Sequence, residues 1–272
     1  MQEKLPSPLR VERRGDVAQL VMCDQEGRNS LGGRMVGALI EALSEANQDP
    51  GLRAVVLTNE GSVFCAGANL KERSAAAAGE GQAGGSGRGL GSFGRLLHDI
   101  ERSPLPVIGC IAGHVVGGGM GLAAALDISV AADDVKFGFS EVRLGVVPAI
   151  ISVVCLPKMR PGDAREAFLR GNRFPAVRAA EMGLINRAVP REELDDVVAA
   201  VVSDIRKGGP KALAAAKQLF VEVPAMSPGD AMDWTAEFSA GLFAGEEAAE
   251  GMAAFIEKRK PSWAEPGDSE ED

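Results

Sequence analysis

The chain has 272 residues, of which 46% are hydrophobic and 25% charged, and its formal net charge is −9 at pH 7. This length suffices for one large core with or without an appendage, and no Lys/Arg cluster forms the basic stripe of a nucleic-acid-binding protein. No apolar run is long enough to cross a bilayer, and the polar start MQEKLPSPLR is not a signal peptide. We therefore expect no nucleic-acid and no membrane partner.

Cysteine and histidine usage argues against disulfides and against a metal site. The four cysteines are Cys23, Cys65, Cys110 and Cys155. They show no C-x-x-C spacing, and three of them stand in apolar runs, which is typical of reduced, buried thiols in a cytoplasmic protein. The two histidines, His98 and His114, form no cluster with these cysteines, so no metal is expected.

The first half of the chain alternates strand and helix patterns. A β-hairpin is predicted for LRVERR (9–14) and VAQLVMC (17–23), which flank a Gly-Asp pair. Apolar residues at helical spacing predict a helix over 34–47, and RAVVLT (53–58) is typical of a short buried strand.

The alternation continues through the middle of the chain. VIGCIA (107–112) predicts a strand, a helix opens near Gly118, and ISVAA (128–132) predicts a further strand. This order of strands and helices indicates an α/β fold. Between these parts, residues 73–92 are rich in Ala, Gly and Ser and predict a mobile loop, either a lid over a cleft or a tolerated insertion.

From Pro161 onward the pattern is mostly helical, and it ends in a helical pair near 228–242 and 246–259. The predicted organisation is a disordered start (1–8), an α/β core (9–205), a C-terminal helical region (206–263) and an acidic disordered tail (264–272).

Two segments rich in small residues are candidate sites for binding an oxygen atom. In SVFCAGANL (62–70) a predicted strand ends before a helix start, so the backbone N–H of Ala68 is open to a carbonyl oxygen, although an ordinary tight turn has the same pattern. Three glycines (117–119) enter a helix, either to let a ligand approach closely or to pack the helix on a strand. Two converging N–H groups would form an oxyanion hole.

Glu141 is the candidate acid/base. It is a single carboxylate in the apolar segment FGFSEVRLG, where desolvation would raise its pKa, although a surface pair with Arg143 is the alternative. His114, at a strand end, either contacts a ligand or satisfies backbone groups. No G-x-S-x-G or P-loop motif is present.

These segments together resemble the crotonase (enoyl-CoA hydratase/isomerase) superfamily. CAGANLKE, PVIGCIAGHVVGGGMGLAAALDI, FGFSEVRLGVVP and EGMAAFIEKRKPSW occur in the family's order, and the similarity extends from about Leu9 to Trp263. The resemblance implies repeated ββα units wound as a spiral, with C-terminal helices that form a homotrimer or a dimer of trimers. Five apolar residues of those helices fit this expectation: Phe220, Trp234, Phe238, Leu242 and Phe243.

The resemblance also implies the ligand and the site. The ligand would be a coenzyme A thioester, with coenzyme A as part of the substrate and no separate cofactor. Ala68 and Gly118 would donate their N–H groups to the thioester oxygen, and Glu141 would move the proton. The residues then expected around the substrate are Ala66, Gly67, Asn69, Leu70, His114, Gly117, Gly121 and Val142.

One position departs from the family's hydratases, which place a second glutamate two residues after the glycine run. This chain has Gly121 there, and VVPAIIS in place of the Gly-rich IPGAGGT that many hydratases have further on. The segments still look similar to methylglutaconyl-CoA-type hydratases, so we expect a hydratase. The alternatives are a Δ3-Δ2-enoyl-CoA isomerase that uses Glu141 as a proton shuttle, and a non-catalytic acyl-CoA-binding protein.

Overall fold

The structure, a computed structural model, describes residues 6–70, 72, 74 and 91–264. Within these residues the chain forms two β-sheets with helices packed around them. The strands are β1 (Leu9–Arg14), β2 (Val17–Met22), β3 (Ala54–Asn59), β4 (Val63–Cys65), β5 (Val107–Ile111), β6 (His114–Val116), β7 (Ile128–Ala132), β8 (Lys136–Gly138), β9 (Arg173–Pro175) and β10 (Arg187–Val189).

From β3 to β8, consecutive strands alternate between the two sheets. The larger sheet has the order β1-β2-β3-β5-β7-β10 and the smaller one β4-β6-β8-β9. The pairs β1·β2 and β8·β9 are antiparallel and the other pairs are parallel. Each turn from β3 onward adds one strand to each sheet, which produces the predicted spiral of ββα units. Because the parallel strands are covered on both faces, β3 and β5 are buried along their whole length.

The helices are α1 (Gly33–Gln48), α2 (Ser92–Glu101), α3 (Gly118–Ala125), α4 (Ala149–Cys155), α5 (Pro161–Arg170), α6 (Ala176–Glu181), α7 (Leu194–Arg206), α8 (Pro210–Glu222), α9 (Pro228–Phe243) and α10 (Glu246–Glu257). Helix α3 is buried on nearly all sides, as its all-apolar sequence requires. It lies beside α4 and begins directly after β6, so its N-terminus lies at the carboxyl end of a strand of the smaller sheet.

The predicted hairpin and the strands at 53–58, 107–112 and 128–132 form. The expectation that the chain is mostly helical after Pro161 needs one correction, because it also contains β9 and β10. These strands are three residues long and complete sheet edges. Strands this short carry too few residues to show a period of two in the sequence. Much of the predicted 73–92 loop and the ends 1–5 and 265–272 lie outside the described residues.

A buried ion pair connects the C-terminal helices to the core. Lys217 on α8 is 6% exposed, and its Nζ donates to Asp127 Oδ2 at 2.6 Å and to the carbonyls of Ile100 and Leu105. Burial lowers the pKa of Lys217 and raises that of Asp127, and each charge opposes the shift of the other. The pair fixes where the C-terminal helical region starts relative to α2 and β5.

The four cysteines are free thiols, and all but Cys23 are buried. Among the residues that the structure describes, no helix is long and apolar enough to cross a membrane. In the same residues, no three His, Cys, Asp or Glu side chains come together in a way that would hold a metal ion.

Candidate active site

Backbone hydrogen bonds to a neighbouring segment fix the conformation of the loop that follows β4. Gly67 adopts φ +85°, a left-handed conformation that favours glycine. The carbonyl of Gly67 accepts a hydrogen bond from Leu31 N at 2.7 Å, and Ala66 N donates to Arg28 O at 3.1 Å. The N–H of Ala68 takes no part in the turn and loop hydrogen bonds of the described chain. It is therefore available to a ligand.

The three glycines have different roles. Gly117, with φ +56°, is the N-cap of α3, and Gly118 is the first residue of the helix. Gly119 serves packing, because a Cβ there would lie 2.8 Å from Cys65 Cβ. Packing of the helix on a strand is thus the role of Gly119, and close approach of a ligand at Gly117 and Gly118 stays a prediction. The positive end of the α3 dipole and its free N–H groups point out beyond Gly118.

The two predicted donors come together in space. A Cβ on Gly118 would lie 3.6 Å from Ala68 N, and one on Gly67 would lie 2.9 Å from Gly118 N. Leu31, whose Cδ1 is 3.2 Å from the Gly118 Cβ position, packs beside them, and sequence reasoning did not find it. A pair of N–H groups this close can bind one oxygen atom between them.

The Glu141 carboxylate lies next to this pair. Its Oε1 is 3.5 Å and its Cδ 3.8 Å from the Cβ position of Gly117, the residue before the Gly118 donor. Glu141 begins a short 3₁₀ helix, Glu141–Leu144, that follows β8. Because β6 and β8 are parallel neighbours, the segments that leave their carboxyl ends meet at one edge of the small sheet.

Glu141 is electrostatically isolated within the described residues. Burial raises its pKa, and only its own backbone N–H acts in the opposite direction. Its Oε2 is buried with no hydrogen-bond partner there. The alternative pair with Arg143 does not form: the charge of Arg143 does not act on Glu141, and Arg143 Nη2 donates to Arg170 O at 3.4 Å. A desolvated carboxylate beside two free N–H groups is suited to moving a proton near a bound carbonyl.

The position of the family's second glutamate is filled by another side chain. A Cβ on Gly121 would lie 2.2 Å from Ile151 Cγ2 and 3.3 Å from Ile151 Cα. When Pro148 is aligned with the proline of IPGAGGT, Ile151 stands where those hydratases have a glycine. Sequence inspection showed a missing carboxylate at Gly121, whereas the structure shows that an isoleucine has taken its space.

The remaining predicted site residues are placed as follows. His114 Nδ1 accepts a hydrogen bond from Lys136 N at 3.1 Å, so His114 does satisfy a backbone group. Asn69 and Glu72 hydrogen-bond each other, and Glu72 caps α1 through Gly33 N. Leu70 is exposed at the surface, and Val142 Cγ2 packs at the Cβ position of Gly171. Their contact with substrate stays a prediction.

A cleft of about 380 Å³ adjoins the oxyanion loop. It is lined by Ala66, Val116, Arg28, Arg173, Asn29 and His114, among others. Neither arginine forms an ion pair within the described part of the chain. Asn29 is 1% exposed; its Nδ2 donates to Val63 O, and its Oδ1 has no partner there. The cleft therefore offers two arginines and one unsatisfied acceptor, together with the carboxylate of Glu60, which pairs with Arg10. None of these residues showed a pattern in the sequence.

Comparison with known proteins identifies the family. The sequence model of the family described as enoyl-CoA hydratase/isomerase matches residues 12–266. A Thermus thermophilus protein, provisionally named an enoyl-CoA hydratase, is 34% identical over 250 residues, with 91% of this chain and 97% of the relative covered. Carnitinyl-CoA dehydratase of Proteus mirabilis is 32% identical over 263 residues, covering 94% and 97%. The chain belongs to the enoyl-CoA hydratase/isomerase family.

A solved structure confirms the predicted fold. The crystal structure of an enoyl-CoA hydratase/isomerase from Marinobacter aquaeolei superposes with a TM-score of 0.86 at 32% identity, covering 95% of this chain and 99% of that one. The predicted crotonase-like α/β fold with C-terminal helices is thus confirmed, as is the prediction of an enzyme. Enzymes of this family act on acyl-CoA thioesters.

Proposed function

We propose that the protein is an enoyl-CoA hydratase with one catalytic glutamate. The N–H groups of Ala68 and Gly118 bind the thioester oxygen, and Glu141 is the acid/base. The observation that supports this most is the approach of the Glu141 carboxylate to Gly117, beside the neighbouring backbone nitrogens of Ala68 and Gly118. The names of the related proteins, which are those of a hydratase and a dehydratase, agree with a lyase reaction.

The proposed step uses one carboxylate twice. Glu141 takes a proton from water as the hydroxyl adds to C3 of a 2-enoyl thioester, and the C2–C3 π electrons move toward the thioester oxygen. Ala68 and Gly118 stabilise that enolate-like oxygen, and loss of such a donor costs about 10²–10³ in kcat in a well-studied case. Protonated Glu141 then gives its proton to C2, which regenerates the carboxylate and completes a syn addition.

A second candidate is a Δ3-Δ2-enoyl-CoA isomerase, and the Gly121–Ile151 contact favours it. Isomerisation needs one proton carrier and no water. Glu141 would remove a proton from C2 of a 3-enoyl thioester and return it to C4, so that the double bond moves to C2–C3. The same oxyanion hole would stabilise the enolate.

Turnover assays separate these functions. Hydration of crotonyl-CoA is followed as loss of the enone absorbance, and isomerisation of 3-enoyl-CoA as its gain. Glu141→Gln should abolish the reaction, while Glu192→Gln, at an exposed position far along the chain, should retain it. Full activity of Glu141→Gln would remove Glu141 from the mechanism. Tight butanoyl-CoA binding without turnover of any enoyl-CoA would instead indicate the non-catalytic binding protein.

The cleft lined by Arg28 and Arg173 supports a substrate that is a coenzyme A thioester. Coenzyme A has phosphate groups, and guanidinium groups without ion-pair partners bind phosphate well. Ala66 and Val116 belong both to this cleft and to the segments that hold the oxyanion donors. A thioester whose oxygen lies at Ala68 and Gly118 would thus place its nucleotide end in reach of the cleft.

A homotrimer or dimer of trimers fits the exposed apolar surface. Several large apolar side chains of the C-terminal helices are largely exposed: Phe220, Met232, Phe243, Phe255 and Ile256. The segment 144–156 exposes more, including Val147 and Val153. Such surface is commonly buried against other subunits. Sedimentation that gives only monomer at micromolar concentration would refute the trimer. A cytoplasmic location, consistent with four free thiols, remains part of the proposal.

A further inference from the structure

Gly121 stands one helical turn beyond the catalytic glycines. It is the fourth residue of α3, three positions after Gly118, while Gly117, which Glu141 Oε1 approaches, is the N-cap just before the helix. Residues three apart lie on one side of a helix and are separated by about 4.5 Å along its axis. The side of α3 that begins with the predicted donor Gly118 therefore continues to Gly121.

Ile151 covers that continuation. The Cβ direction of Gly121 meets Ile151 Cγ2 at 2.2 Å, Cβ at 2.6 Å and Cα at 3.3 Å. Because the Ile151 Cβ keeps its position when the side chain rotates, no rotamer of Ile151 would make room for a side chain on Gly121. The two residues thus form a coupled pair in which α4 supplies the side chain and α3 supplies none.

The face of α4 directed to this region is apolar. Ile151, Val154 and Cys155 are buried, and Ile151 and Cys155 are four residues apart. Burial raises the pKa of Cys155; the charge of Lys158 lowers it and the charge of Glu141 raises it, so the thiol lies within reach of the Glu141 carboxylate. Lys158 Nζ donates to the carbonyl of Leu126 at 2.7 Å. The buried face of α4 itself therefore offers no charged partner to a charge on the substrate.

We propose that Ile151 is a specificity-determining residue, which restricts this enzyme to enoyl thioesters with an uncharged, apolar acyl group around C3 and C4. The proposal rests on the proposed function, because it places the reacting carbons between Glu141 and the oxyanion hole. An acyl group with a carboxylate or a trimethylammonium on C4 would bury a charge against Ile151 with no partner, which is strongly unfavourable.

The test compares three thioesters: 2-hexenoyl-CoA, and 2-butenoyl-CoA bearing on C4 a carboxylate or a trimethylammonium. For the unmodified enzyme we expect kcat/KM for hexenoyl-CoA to exceed the other two by at least about 100-fold. Ile151→Val and Ile151→Thr form a matched pair of equal shape, in which only Thr adds a hydroxyl group. We expect the ratio of kcat/KM for hexenoyl-CoA to kcat/KM for the charged thioesters to be about tenfold lower in the Thr variant than in the Val variant. Val11→Thr, at an exposed strand position, should leave it unchanged.

Two outcomes would overturn the proposal: equal turnover of charged and uncharged thioesters by the unmodified enzyme, or equal preferences in the Val and Thr variants. If no enoyl-CoA is turned over, the proposed function fails, but discrimination between charged and uncharged acyl groups can still be measured. Calorimetry with hexanoyl-CoA and with butanoyl-CoA bearing the same charged groups would then show the preference as a ratio of Kd values. Equal Kd values would also contradict the role of Ile151.

Discussion

Gly67 and Gly118 approach each other so closely that a Cβ on Gly67 would lie 2.9 Å from Gly118 N. This contact joins the two segments that sequence motifs singled out. Gly67→Ala would place a methyl group over the Gly118 N–H and strain a backbone at φ +85°. We expect kcat for enoyl-CoA turnover to fall about 10²–10³-fold, as when one oxyanion donor is removed. Steady-state kinetics measures this.

Gly15→Ala is the matched control for strain. Gly15 has φ +62°, and a Cβ there would contact nothing within 4 Å. Both variants should lose about 1–3 kcal/mol of stability from the left-handed backbone. Only Gly67→Ala should lose activity. Equal kinetic defects in the two variants would show that strain, and not the covered N–H, is responsible.

The pH dependence of turnover should report the Glu141 carboxyl group. Burial raises its pKa above the ordinary value of 4.5, and the reaction starts from the carboxylate. We therefore expect kcat/KM to fall as pH decreases through a pKa above 4.5. The measurement is the pH profile of kcat/KM for crotonyl-CoA. An acid limb at or below 4.5 would contradict the desolvated environment.

The raised pKa of Glu141 should also make the stability of the folded protein depend on pH. The folded protein holds the Glu141 proton more tightly than the unfolded chain does, so the wild type loses stability as pH rises from 4.5 through the folded pKa. Glu141→Gln lacks this titration. We expect the free energy of unfolding of Glu141→Gln, measured in urea, to rise relative to that of the wild type as pH increases across this window. For Glu192→Gln the difference from the wild type should not change with pH. A difference that is also independent of pH for Glu141→Gln would argue against the raised pKa.

Gly121→Ala should destabilise the protein, because α4 must move to relieve the contact with Ile151. Overpacking of this kind costs about 1–3 kcal/mol. Adding Ile151→Ala should make the total loss smaller than the sum of the two single losses. Gly37→Ala, in α1 with open space at its Cβ position, should instead stabilise by about 0.5–1 kcal/mol. Strict additivity of the pair in a double-mutant cycle would refute the coupling.

Lys217→Met should be strongly destabilising. It removes the ammonium group from the Asp127 carboxylate, which keeps the Val107 N–H, and from two carbonyls; removal of one partner from a buried pair costs about 3–5 kcal/mol. Lys211→Met, at an exposed position of the same helix, should cost little. Urea unfolding of both variants tests this, and similar losses would mean that the pair is not what connects α8 to the core.

Arg173→Gln and Arg28→Gln should weaken coenzyme A binding without slowing the chemistry. Loss of a charged hydrogen bond to phosphate would raise KM about tenfold and leave kcat unchanged, as expected for uniform binding. Arg165→Gln, at an exposed position of α5, should change neither. An unchanged KM in both cleft variants would place the nucleotide elsewhere.

Much of the fold followed from the sequence. Buried parallel strands are continuous apolar runs, so β3, β5 and β7 were predicted close to their observed bounds. The order of small-residue motifs indicated the family, and from that resemblance the sequence alone predicted Ala68, Gly118 and Glu141 as site residues. Those motifs are local because a backbone donor requires small residues at its own position in the chain.

The tertiary structure determined what lies between distant segments. No sequence pattern joins Gly121 to Ile151, because their contact depends on how α3 packs against α4. The same holds for Arg28 and Arg173, which meet at one cleft from opposite parts of the chain, and for the ion pair of Lys217 with Asp127. By itself the sequence predicted which backbone groups would bind an oxygen, since a free backbone N–H depends on local conformation. Which side chains surround those groups was decided only by long-range packing.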